Sequence, residues 1–199
     1  MYSFIFDVDG TLIDSYDGIT SAVESVLKKH NCSIDDAREF ILKESVYDLL
    51  GSVSNIINVP LDVLYNEYKE ERLKTQYEYK LMDNMIDMIK YLKSKHYNLF
   101  IYTHKGNAIN KILSDNNISE YFIEVISSDS VDFRRKPDPY NINYLVDKYI
   151  LDKNYTYYVG DRKIDVLCAK NANIKSIILG NQYSADIVIN NFSEMKQLF

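Results

Sequence analysis

Two aspartates stand near the start of the sequence, at the point where a predicted strand ends. Residues 4–6 are apolar, and residues 7–11 read Asp-Val-Asp-Gly-Thr. An apolar run bounded by Asp and Gly predicts a buried strand that ends in a tight turn. Alternate residues of an extended chain point to the same side, so Asp7 and Asp9 should face one space. Because neighbouring carboxylates repel each other, the pair predicts a cation or a proton between them.

Other polar side chains follow the later predicted strands, where a parallel sheet would bring them to one edge. Ligands bind at that edge in open α/β sheets. The residues concerned are Thr103, His104 and Lys105 after the second core strand, Lys136 beyond the third, and Asp161 and Asp165 after the fourth. The strand ends therefore collect carboxylates, a hydroxyl and a lysine. This set is what phosphoryl transfer assisted by a divalent cation requires.

The two aspartates of the opening motif can divide this chemistry between them. Mg²⁺ is a hard cation that favours oxygen ligands, so Asp7 and Asp161 are natural ligands, with a backbone carbonyl near Asp9 completing the protein side. The other carboxylate oxygen of Asp7 can attack phosphorus and form an aspartyl-phosphate. Asp9 is placed to protonate the leaving oxygen and later to deprotonate the water that hydrolyses the intermediate.

The remaining polar groups are suited to holding a phosphoryl group. Lys136 can neutralise its oxygens, and Thr103 can donate a hydrogen bond to them. Main-chain N–H groups around Gly10 can add further donors, since glycine tolerates the positive φ of a tight turn. Gly10 and the adjoining Thr11 are therefore candidate substrate-binding residues.

The composition is that of a globular protein and argues against several classes of partner. The chain has 199 residues, 46% of them hydrophobic, with a formal net charge of −6 and a pI of about 5.1. An acidic chain is poorly suited to nucleic acid or to an anionic membrane surface, and no apolar stretch is long enough to span a bilayer. Two cysteines give no disulfide framework. We expect a cytoplasmic protein, monomeric or a small homo-oligomer, with no nucleic-acid or membrane partner.

The pattern of apolar residues changes along the chain. From Ser15 to about Lys80 it has helical spacing, with short helices at 35–43 and 46–50 and another beginning at Pro60. After Leu81, apolar strands alternate with helices, which is typical of a parallel α/β sheet covered on both faces. The predicted strands lie at 98–103, 124–127, 155–159, 177–179 and 187–189, and one of the helices carries Ile164, Leu167, Cys168 and Ala172 on a single face. We therefore expect an α/β core that is interrupted after its first strand by a helical insertion.

These motifs resemble those of the haloacid dehalogenase superfamily, which is dominated by phosphatases. Four motifs of that superfamily are present in order: residues 7–11, Thr103, Lys136-Pro137 and residues 160–165. The helical insertion matches the cap that follows the first strand in the subfamily of phosphoglycolate phosphatase-like and β-phosphoglucomutase-like enzymes. The resemblance covers essentially the whole chain.

The resemblance implies a fold, a site and an activity. The fold is a Rossmann-like parallel sheet formed by residues 1–14 and 82–199, with a mobile all-helical cap formed by residues 15–81. The implied roles are nucleophile for Asp7, acid/base for Asp9, phosphate binding for Thr103 and Lys136, metal ligand for Asp161, and metal ligand or supporting group for Asp165. The implied activity is Mg²⁺-dependent hydrolysis of a small phosphorylated metabolite, of the phosphoglycolate or sugar phosphate class.

Two segments depart from the superfamily pattern. Arg162 stands where the Gly-Asp motif commonly continues with Ser or Thr, and it adds positive charge near the expected metal site. Met82-Asp83-Asn84 stands where a Pro-Gly pair often precedes the core helix. Neither departure touches a catalytic position, so they bear on the subgroup rather than on the activity.

Three other activities have to be weighed. A phosphomutase uses the same core and differs in cap side chains that the sequence does not locate. A haloacid dehalogenase is disfavoured because that chemistry lacks the second aspartate of the opening motif, whereas Asp9 is present. A phosphorylatable receiver-like signalling module also places Asp, Thr and Lys at strand ends. In receivers, however, the accepting aspartate lies on a mid-chain strand and no large cap follows the first strand.

Several candidate residues have a second interpretation. A carboxylate in the first turn of a helix is stabilised by the helix macrodipole without any ligand, so Asp165 can be structural. His104 and Lys105 lie at the predicted rim, where each contacts substrate or is simply solvated. Lys43 and Ser45 fall between cap helices, in a region that can reach the substrate in related enzymes.

Overall fold

The chain folds around a six-stranded sheet, as seen in a computed structural model that describes residues 1–180 and 182–199. The strands are β1 (Ser3–Phe6), β2 (Ile13–Asp14), β3 (Lys80–Leu81), β4 (Asn98–Tyr102), β5 (Glu124–Ile126), β6 (Thr156–Gly160), β7 (Lys175–Leu179) and β8 (Ile187–Ile189). The helices are α1 (Tyr16–Lys29), α2 (Ala37–Lys43), α3 (Val46–Ile57), α4 (Leu61–Thr75), α5 (Met85–Ser94), α6 (Ala108–Asp115), α7 (Tyr140–Tyr149), α8 (Lys163–Asn171) and α9 (Met195–Leu198). No helix in this described part of the chain is both long enough and apolar enough to cross a membrane.

The large sheet is parallel and has β1 in its interior, which confirms the predicted α/β fold. The strand order is β5-β4-β1-β6-β7-β8, and each neighbouring pair is parallel. Ser3 of β1 pairs with Asn98 of β4 on one side and with Thr156 of β6 on the other. Because the strands run the same way, the residues that follow β1, β4 and β6 emerge at one edge of the sheet.

Alternating side chains of β1 pack on opposite faces of the sheet. On one face, Ile5 joins an apolar cluster with Phe100 of β4, Leu145 of α7 and Ala169 of α8. On the other face, the ring of Phe4 stacks on that of Tyr157 of β6, with ring centroids 5.6 Å apart. This packing on both faces sets the register of β1 and hence the direction in which the following residues point.

An aromatic cluster lies near the amino ends of the same strands. The ring of Phe199 is edge-to-face with Phe4 at 4.9 Å, with Tyr157 at 5.0 Å and with Tyr2 at 5.2 Å. The hydroxyl of Tyr97 donates a hydrogen bond of 3.0 Å to the main-chain oxygen of Phe199. Such aromatic pairs contribute about 0.5–1.5 kcal/mol each beyond the burial of their surface. These contacts therefore hold residue 199 against β1.

The chain divides into two compact units, residues 1–13 with 81–199 and residues 14–80. The predicted boundaries between the two units, after residues 14 and 81, each lie one residue later than these. The second unit contains α1 to α4, and their inward side chains form an apolar cluster. Val23, Val26, Leu49 and Leu64 lie in that cluster and are fully buried. The unit is helical because its apolar residues recur every three or four positions.

Three short-range features differ from the sequence prediction. α3 continues to Ile57, well beyond the predicted end at residue 50. Gly51 and Ser52 lower the intrinsic helix propensity there, but burial of Leu50 and Val53 in the apolar cluster outweighs that cost. The strands β2 and β3 escaped prediction because a pair of two-residue strands carries no periodic signal.

α8 buries part of the apolar face that was predicted, since Cys168 and Ala172 are fully buried in the core. Leu167 is exposed, whereas Asp165 is buried together with Cys168 and Ala169. The helix is turned so that the Asp165 carboxylate reaches the ammonium of Lys136 at 2.7 Å. The buried face of this helix therefore combines predicted apolar residues with a carboxylate that pairs with Lys136.

Candidate active site

A buried lysine joins two carboxylates at the carboxyl edge of the sheet. Nζ of Lys136 lies 3.0 Å from Oδ1 of Asp7 and 2.7 Å from Oδ1 of Asp165. The Lys136 side chain is 0% exposed, and both carboxylates are buried. Asp7 follows β1, Asp165 lies in the first turn of α8, and Lys136 comes from the segment before α7. Three distant segments of the sequence thus converge on one ammonium group.

Burial and charge both act on the ionisation of these groups. Burial raises the pKa of the Asp7 carboxyl, and the neighbouring Lys136 ammonium only partly opposes that shift. Burial lowers the pKa of Lys136, but the carboxylates of Asp165 and Asp7 outweigh this effect and raise it. Because two buried carboxylates share one ammonium, Lys136 stays charged while the negative charge on Asp7 is only partly compensated.

A third carboxylate extends this arrangement into an acidic cluster. Asp7, Asp161 and Asp165 each offer an oxygen atom, and these oxygens lie within 4.8 Å of one another. Carboxylate oxygens are the ligands that hard divalent cations such as Mg²⁺ prefer. Three carboxylates beside one ammonium also leave negative charge that a cation would balance. The cluster therefore fits the chemical requirements of a magnesium site.

The hydrogen bonds separate the carboxylates of this cluster by role. Oδ2 of Asp165 accepts from the N–H groups of Arg162 at 3.0 Å and Asp161 at 3.3 Å, while its Oδ1 meets Lys136. The Asp165 carboxylate is thus engaged by the protein through both oxygens. Asp161 is only half-buried, so its carboxylate is more open to a ligand. Asp7 and Asp161 are therefore the better candidates for direct metal ligands, and Asp165 orders the turn before α8.

Gly160 allows Asp165 to come this close. A Cβ atom built on Gly160 would lie 2.4 Å from Oδ2 and Cγ of Asp165, much closer than two such atoms can approach. No other residue type fits at the end of β6 unless the Asp165 carboxylate moves away from Lys136. No role was predicted for Gly160, although a glycine at a strand end, directly before Asp161, is a signal of close approach by another group.

The turn after β1 uses its own amide groups. Gly10 has a φ of 83°, and its N–H donates to the Ile13 carbonyl at 2.7 Å. The Thr11 N–H donates to the Val8 carbonyl at 3.1 Å. The tight turn thus uses both of these amides itself. The expected substrate-binding role of Gly10 and Thr11 stays a prediction. The buried Thr11 hydroxyl donates to Oδ1 of Asp161 at 3.3 Å, which helps to hold that carboxylate.

Asp9 and Lys105 form a second ion pair at the same edge. Nζ of Lys105 lies 2.7 Å from Oδ1 of Asp9, and the Lys105 side chain is only 6% exposed. The interpretation of Lys105 as a solvated rim residue is therefore wrong, since this carboxylate draws it inward. Among the described residues, the group of carboxylates that could hold a metal does not include Asp9. A ligand role for the Asp9 main-chain carbonyl stays a prediction.

Thr103 and His104 follow β4 and point to different partners. The Thr103 amide donates to the Ile126 carbonyl at 3.0 Å, and its buried hydroxyl oxygen accepts from the Lys105 N–H at 3.1 Å. Nε2 of His104 accepts from the main-chain N–H of Lys136 at 2.9 Å. His104 therefore faces the segment that carries Lys136, and the interpretation of it as a solvated rim residue is wrong.

Comparison with known proteins places this site in a family. Residues 4–179 match the family described as haloacid dehalogenase-like hydrolase, which is most of the chain. The chain belongs to the haloacid dehalogenase-like hydrolase family. The expectation of a hydrolase from this superfamily is thereby confirmed.

Relatives of this hydrolase include two bacterial enzymes with different names. The phosphoglycolate phosphatase of Vibrio vulnificus strain YJ016 is 29% identical over 193 residues, which cover 90% of this chain and 83% of that protein. The pyrophosphatase PpaX of Bacillus velezensis is 29% identical over 181 residues, which cover 87% of this chain and 81% of that protein. The two names indicate that similar sequences in this family serve different substrates.

A solved structure supports the fold of this hydrolase independently of sequence. A haloacid dehalogenase-like family hydrolase from Streptococcus pneumoniae superposes with a TM-score of 0.80 at 23% identity. The superposition covers 100% of this chain and 98% of that one. At such low identity the likeness shows the fold alone.

Two further residues of this hydrolase complete the comparison with the sequence predictions. Lys43 lies in the second unit, where its exposed ammonium pairs with Glu39. Its expected role in substrate binding stays a prediction. Ser45, in the same unit, caps α3 by accepting a hydrogen bond from the Asp48 N–H at 3.1 Å.

Tyr102 was predicted only as a strand residue, yet it also supports the segment that carries Lys136. Its hydroxyl donates a hydrogen bond of 2.6 Å to the Arg134 carbonyl, in the segment that carries Lys136. The ring of Tyr102 also lies beside the Lys136 ammonium, with 5.8 Å between Nζ and the ring centroid, and Tyr158 does the same at 5.3 Å. A tyrosine hydroxyl at the end of a strand that is otherwise mostly apolar was the available signal.

Proposed function

We propose that this protein is a Mg²⁺-dependent phosphatase that hydrolyses a phosphomonoester of a small metabolite. The observation that carries the proposal is the Lys136 ammonium held between Asp7 and Asp165, beside the further carboxylate of Asp161. A fixed positive charge next to a nucleophilic carboxylate is what phosphoryl transfer needs, because negative charge accumulates on the equatorial oxygens in the transition state. The names of the relatives support the broader class, hydrolytic release of a phosphoryl group from a monoester or an anhydride.

In the first step, a carboxylate oxygen of Asp7 attacks phosphorus while the bond from phosphorus to the leaving oxygen breaks. Asp9 acts here in its protonated form, whose Oδ1 can still accept from the Lys105 ammonium. It gives its proton to the leaving oxygen, and the product alcohol leaves. Lys136 and the Thr103 hydroxyl hold the phosphoryl oxygens during the transfer. A magnesium ion bound by Asp7 and Asp161 would supply charge neutralisation and orientation.

In the second step, water attacks the phosphorus of the aspartyl-phosphate and releases the Asp7 carboxylate. Asp9, now ionised, takes the proton from the attacking water. Inorganic phosphate leaves, and both aspartates return to their starting states. Lys105, which holds Oδ1 of Asp9 at 2.7 Å, keeps that carboxylate aimed along one direction through both steps.

The substrate class follows from the relatives in coarse terms only. Phosphoglycolate and pyrophosphate are small anions with different leaving groups, and both stand in the names of similar proteins. We therefore propose a small phosphorylated metabolite and include pyrophosphate among the compounds to be tried. A mutase is distinguished from a phosphatase by whether a sugar phosphate is isomerised faster than it is hydrolysed.

The decisive experiment measures phosphate release from p-nitrophenyl phosphate, phosphoglycolate, pyrophosphate and several sugar phosphates, with and without Mg²⁺. We expect Asp7→Asn to lower kcat by about a thousandfold or more on every substrate that the wild-type protein hydrolyses, because the nucleophile is lost. Asp115→Asn, an exposed carboxylate paired with Lys111 on α6, is the matched control and should stay at the wild-type rate. Hydrolysis that survives Asp7→Asn, or that ignores EDTA, would overturn the proposal.

The metal site has a test that does not depend on turnover. A cation that binds only the folded protein stabilises it, by about 2.7 kcal/mol at a concentration one hundred times its Kd. For a chain of this size that corresponds to a rise in Tm of about 5–10 °C. We expect Mg²⁺ to raise the Tm of the wild type and of Asp115→Asn, but not that of Asp161→Asn. Equal shifts in all three proteins would contradict a site at Asp161.

A further inference from the structure

We propose that His104 is a positioning residue that holds Lys136 in place through the Lys136 main chain. The inference rests on the proposed function, in which the Lys136 ammonium contacts the phosphoryl group. Nε2 of His104 accepts from the Lys136 N–H at 2.9 Å, while the ammonium of the same lysine meets Asp7 and Asp165. The imidazole therefore holds one end of the residue whose other end lies in the site.

The hydrogen bond requires a neutral imidazole. A neutral ring has one acceptor nitrogen, so acceptance at Nε2 leaves the proton on Nδ1. Burial, together with the positive charges of Lys136, Arg135 and Arg162, lowers the pKa of His104. These surroundings favour the form of the ring that can accept a hydrogen bond. Nη2 of Arg135, 3.4 Å from Nδ1, then contributes positive charge rather than a donated hydrogen bond.

The imidazole is itself held by rigid parts of the fold. His104 comes two residues after the end of β4, a strand between β1 and β5, and its ring packs edge-to-face on Phe133 with centroids 5.8 Å apart. The segment that it contacts is also tied at Arg134, whose carbonyl accepts from Tyr102 and whose N–H donates to Asn141. Those two bonds hold the approach to Lys136. The bond from His104 is made to Lys136 itself.

The rate of the reaction should depend on the exact position of the Lys136 ammonium. A charged group that stabilises a transition state has to be placed within about 0.5 Å, and displacements of about 1 Å can cost a hundredfold in rate. Without the acceptor on His104, the Lys136 N–H loses its partner, and the segment would shift to find another. The ammonium would move with it, away from the phosphoryl group.

The experiment compares two variants of similar size. His104→Gln keeps an acceptor oxygen that can reach the Lys136 N–H, whereas His104→Leu removes the acceptor and keeps the volume. We expect His104→Leu to lower kcat/KM by about 10- to 100-fold, and His104→Gln to restore most of that loss. The loss in His104→Leu should be the same factor for p-nitrophenyl phosphate, phosphoglycolate and pyrophosphate, because Lys136 contacts the phosphoryl group that all three share. A loss confined to one substrate would show that His104 contacts the leaving group, and would overturn the proposal.

A second measurement tests the hydrogen bond from Lys136 to His104 without requiring any enzymatic activity. Hydrogen exchange of the Lys136 backbone amide, followed by NMR, should be slow in the wild type and His104→Gln and faster in His104→Leu. This readout stands even if the wild type hydrolyses none of the three compounds, a result that would remove the proposed function alone. If His104→Leu does not fold, His104→Ala, which also lacks an acceptor, takes its place with the same expected losses. Slow exchange at Lys136 in the variant without the acceptor overturns the inference.

Discussion

The Asp165 side chain approaches the main chain at Gly160 so closely that residue 160 cannot carry a side chain. Gly160 has an ordinary backbone conformation, and its value lies in the missing Cβ, which would overlap the Asp165 carboxylate. That carboxylate accepts from two main-chain N–H groups and from Lys136. A single methyl group at residue 160 would therefore disturb the second of the two carboxylates that hold the lysine.

We expect Gly160→Ala to lower both stability and activity. The methyl group has no space, so the free energy of unfolding should fall by about 1–3 kcal/mol, as for overpacked sites generally. Phosphate release should fall as well, because Lys136 loses its contact with Asp165. Gly51→Ala is the matched control, since its nearest neighbour outside the helix lies 3.8 Å away and alanine favours helix. Denaturant unfolding of both variants checks this, and a Gly160→Ala protein as stable as Gly51→Ala would contradict it.

His104 should also make stability depend on pH. Its pKa is lowered in the folded protein from an ordinary value of 6.5, so below pH 6.5 the unfolded chain binds a proton that the folded chain does not. Stability should therefore fall as the pH falls below 6.5, with a contribution from this residue of up to about 1.4 kcal/mol per pH unit. Urea unfolding between pH 5 and 7.5 should show a shallower decline for His104→Gln than for the wild type. Parallel curves would show that the folded protein also takes up the proton.

Among the helices, α3 is held both by its end caps and by side chains buried along its interior. α3 begins at Ser45, whose hydroxyl oxygen accepts from the Asp48 N–H, and ends at Asn58 in the left-handed conformation with a φ of 56°. Between these signals lie residues with poor helix propensity, yet the helix continues for 12 residues. The caps and the buried side chains of Leu49, Leu50 and Val53 together hold it.

Replacing the cap should destabilise the second unit. We expect Ser45→Ala to lower the free energy of unfolding by about 1 kcal/mol, because the Asp48 N–H loses its acceptor at the helix start. Ser52→Ala, at an exposed position inside the same helix, is the control and should be neutral or slightly stabilising. Circular dichroism during thermal unfolding measures both changes. A loss of activity in Ser45→Ala without a change in Tm would instead support a role of Ser45 toward the substrate.

The elements were predictable where apolar periodicity was long and unopposed. The parallel strands were predictable because each is a buried apolar run, and the polar residues that follow them marked the ends that carry the site. On α8 the predicted apolar face is buried at Cys168 and Ala172, but periodicity counts only hydrophobic residues and so gave no sign of Asp165, which is buried by its bond to Lys136. The two-residue strands carry no pattern to read. The predicted end of α3 came too early because low helix propensity after Leu50 has less effect than burial of the side chains there.

For the whole molecule, residues from both ends of the sequence meet at the amino edge of the sheet. Phe199 packs on Phe4 and Tyr157, and its main-chain oxygen accepts a hydrogen bond from the Tyr97 hydroxyl. These partners belong to or adjoin the three central strands β1, β4 and β6. The cluster therefore stabilises the strands whose opposite ends carry the site, without touching the site.

We expect Phe199→Ala to lower the free energy of unfolding by about 2–3 kcal/mol, less than for a fully buried phenylalanine because Phe199 is partly exposed. The kcat and KM of the folded protein should not change at temperatures well below the new Tm. Leu198→Ala, a large exposed side chain next to it, is the control and should shift Tm little. A change of KM in Phe199→Ala would contradict the separation of this cluster from the site.

The site was predictable to the extent that its residues follow strands. Asp7, Thr103 and Asp161 lie at one edge because parallel strands place them there, and Lys136 reaches the same edge. The partners of His104 and Lys105 were not predictable, since each bond joins residues far apart in sequence through loops with no periodic signal. The hydrogen bonds that the Gly10 and Thr11 amides make within the turn were not predictable either, because they depend on the exact geometry of the turn.

The position of the insertion has a consequence for how this chain can change in length. The chain leaves the first unit after Ile13 and returns at Leu81, and the Met82 N–H bonds to the Leu12 carbonyl at 3.1 Å within that unit. The first unit thus closes the loop itself, whatever lies between. Loop-closure entropy grows only with the logarithm of length, by about 0.6 kcal/mol for each doubling. Segments much longer or shorter than residues 14–80 could therefore be exchanged at this point at little thermodynamic cost, which makes it a natural place for grafting.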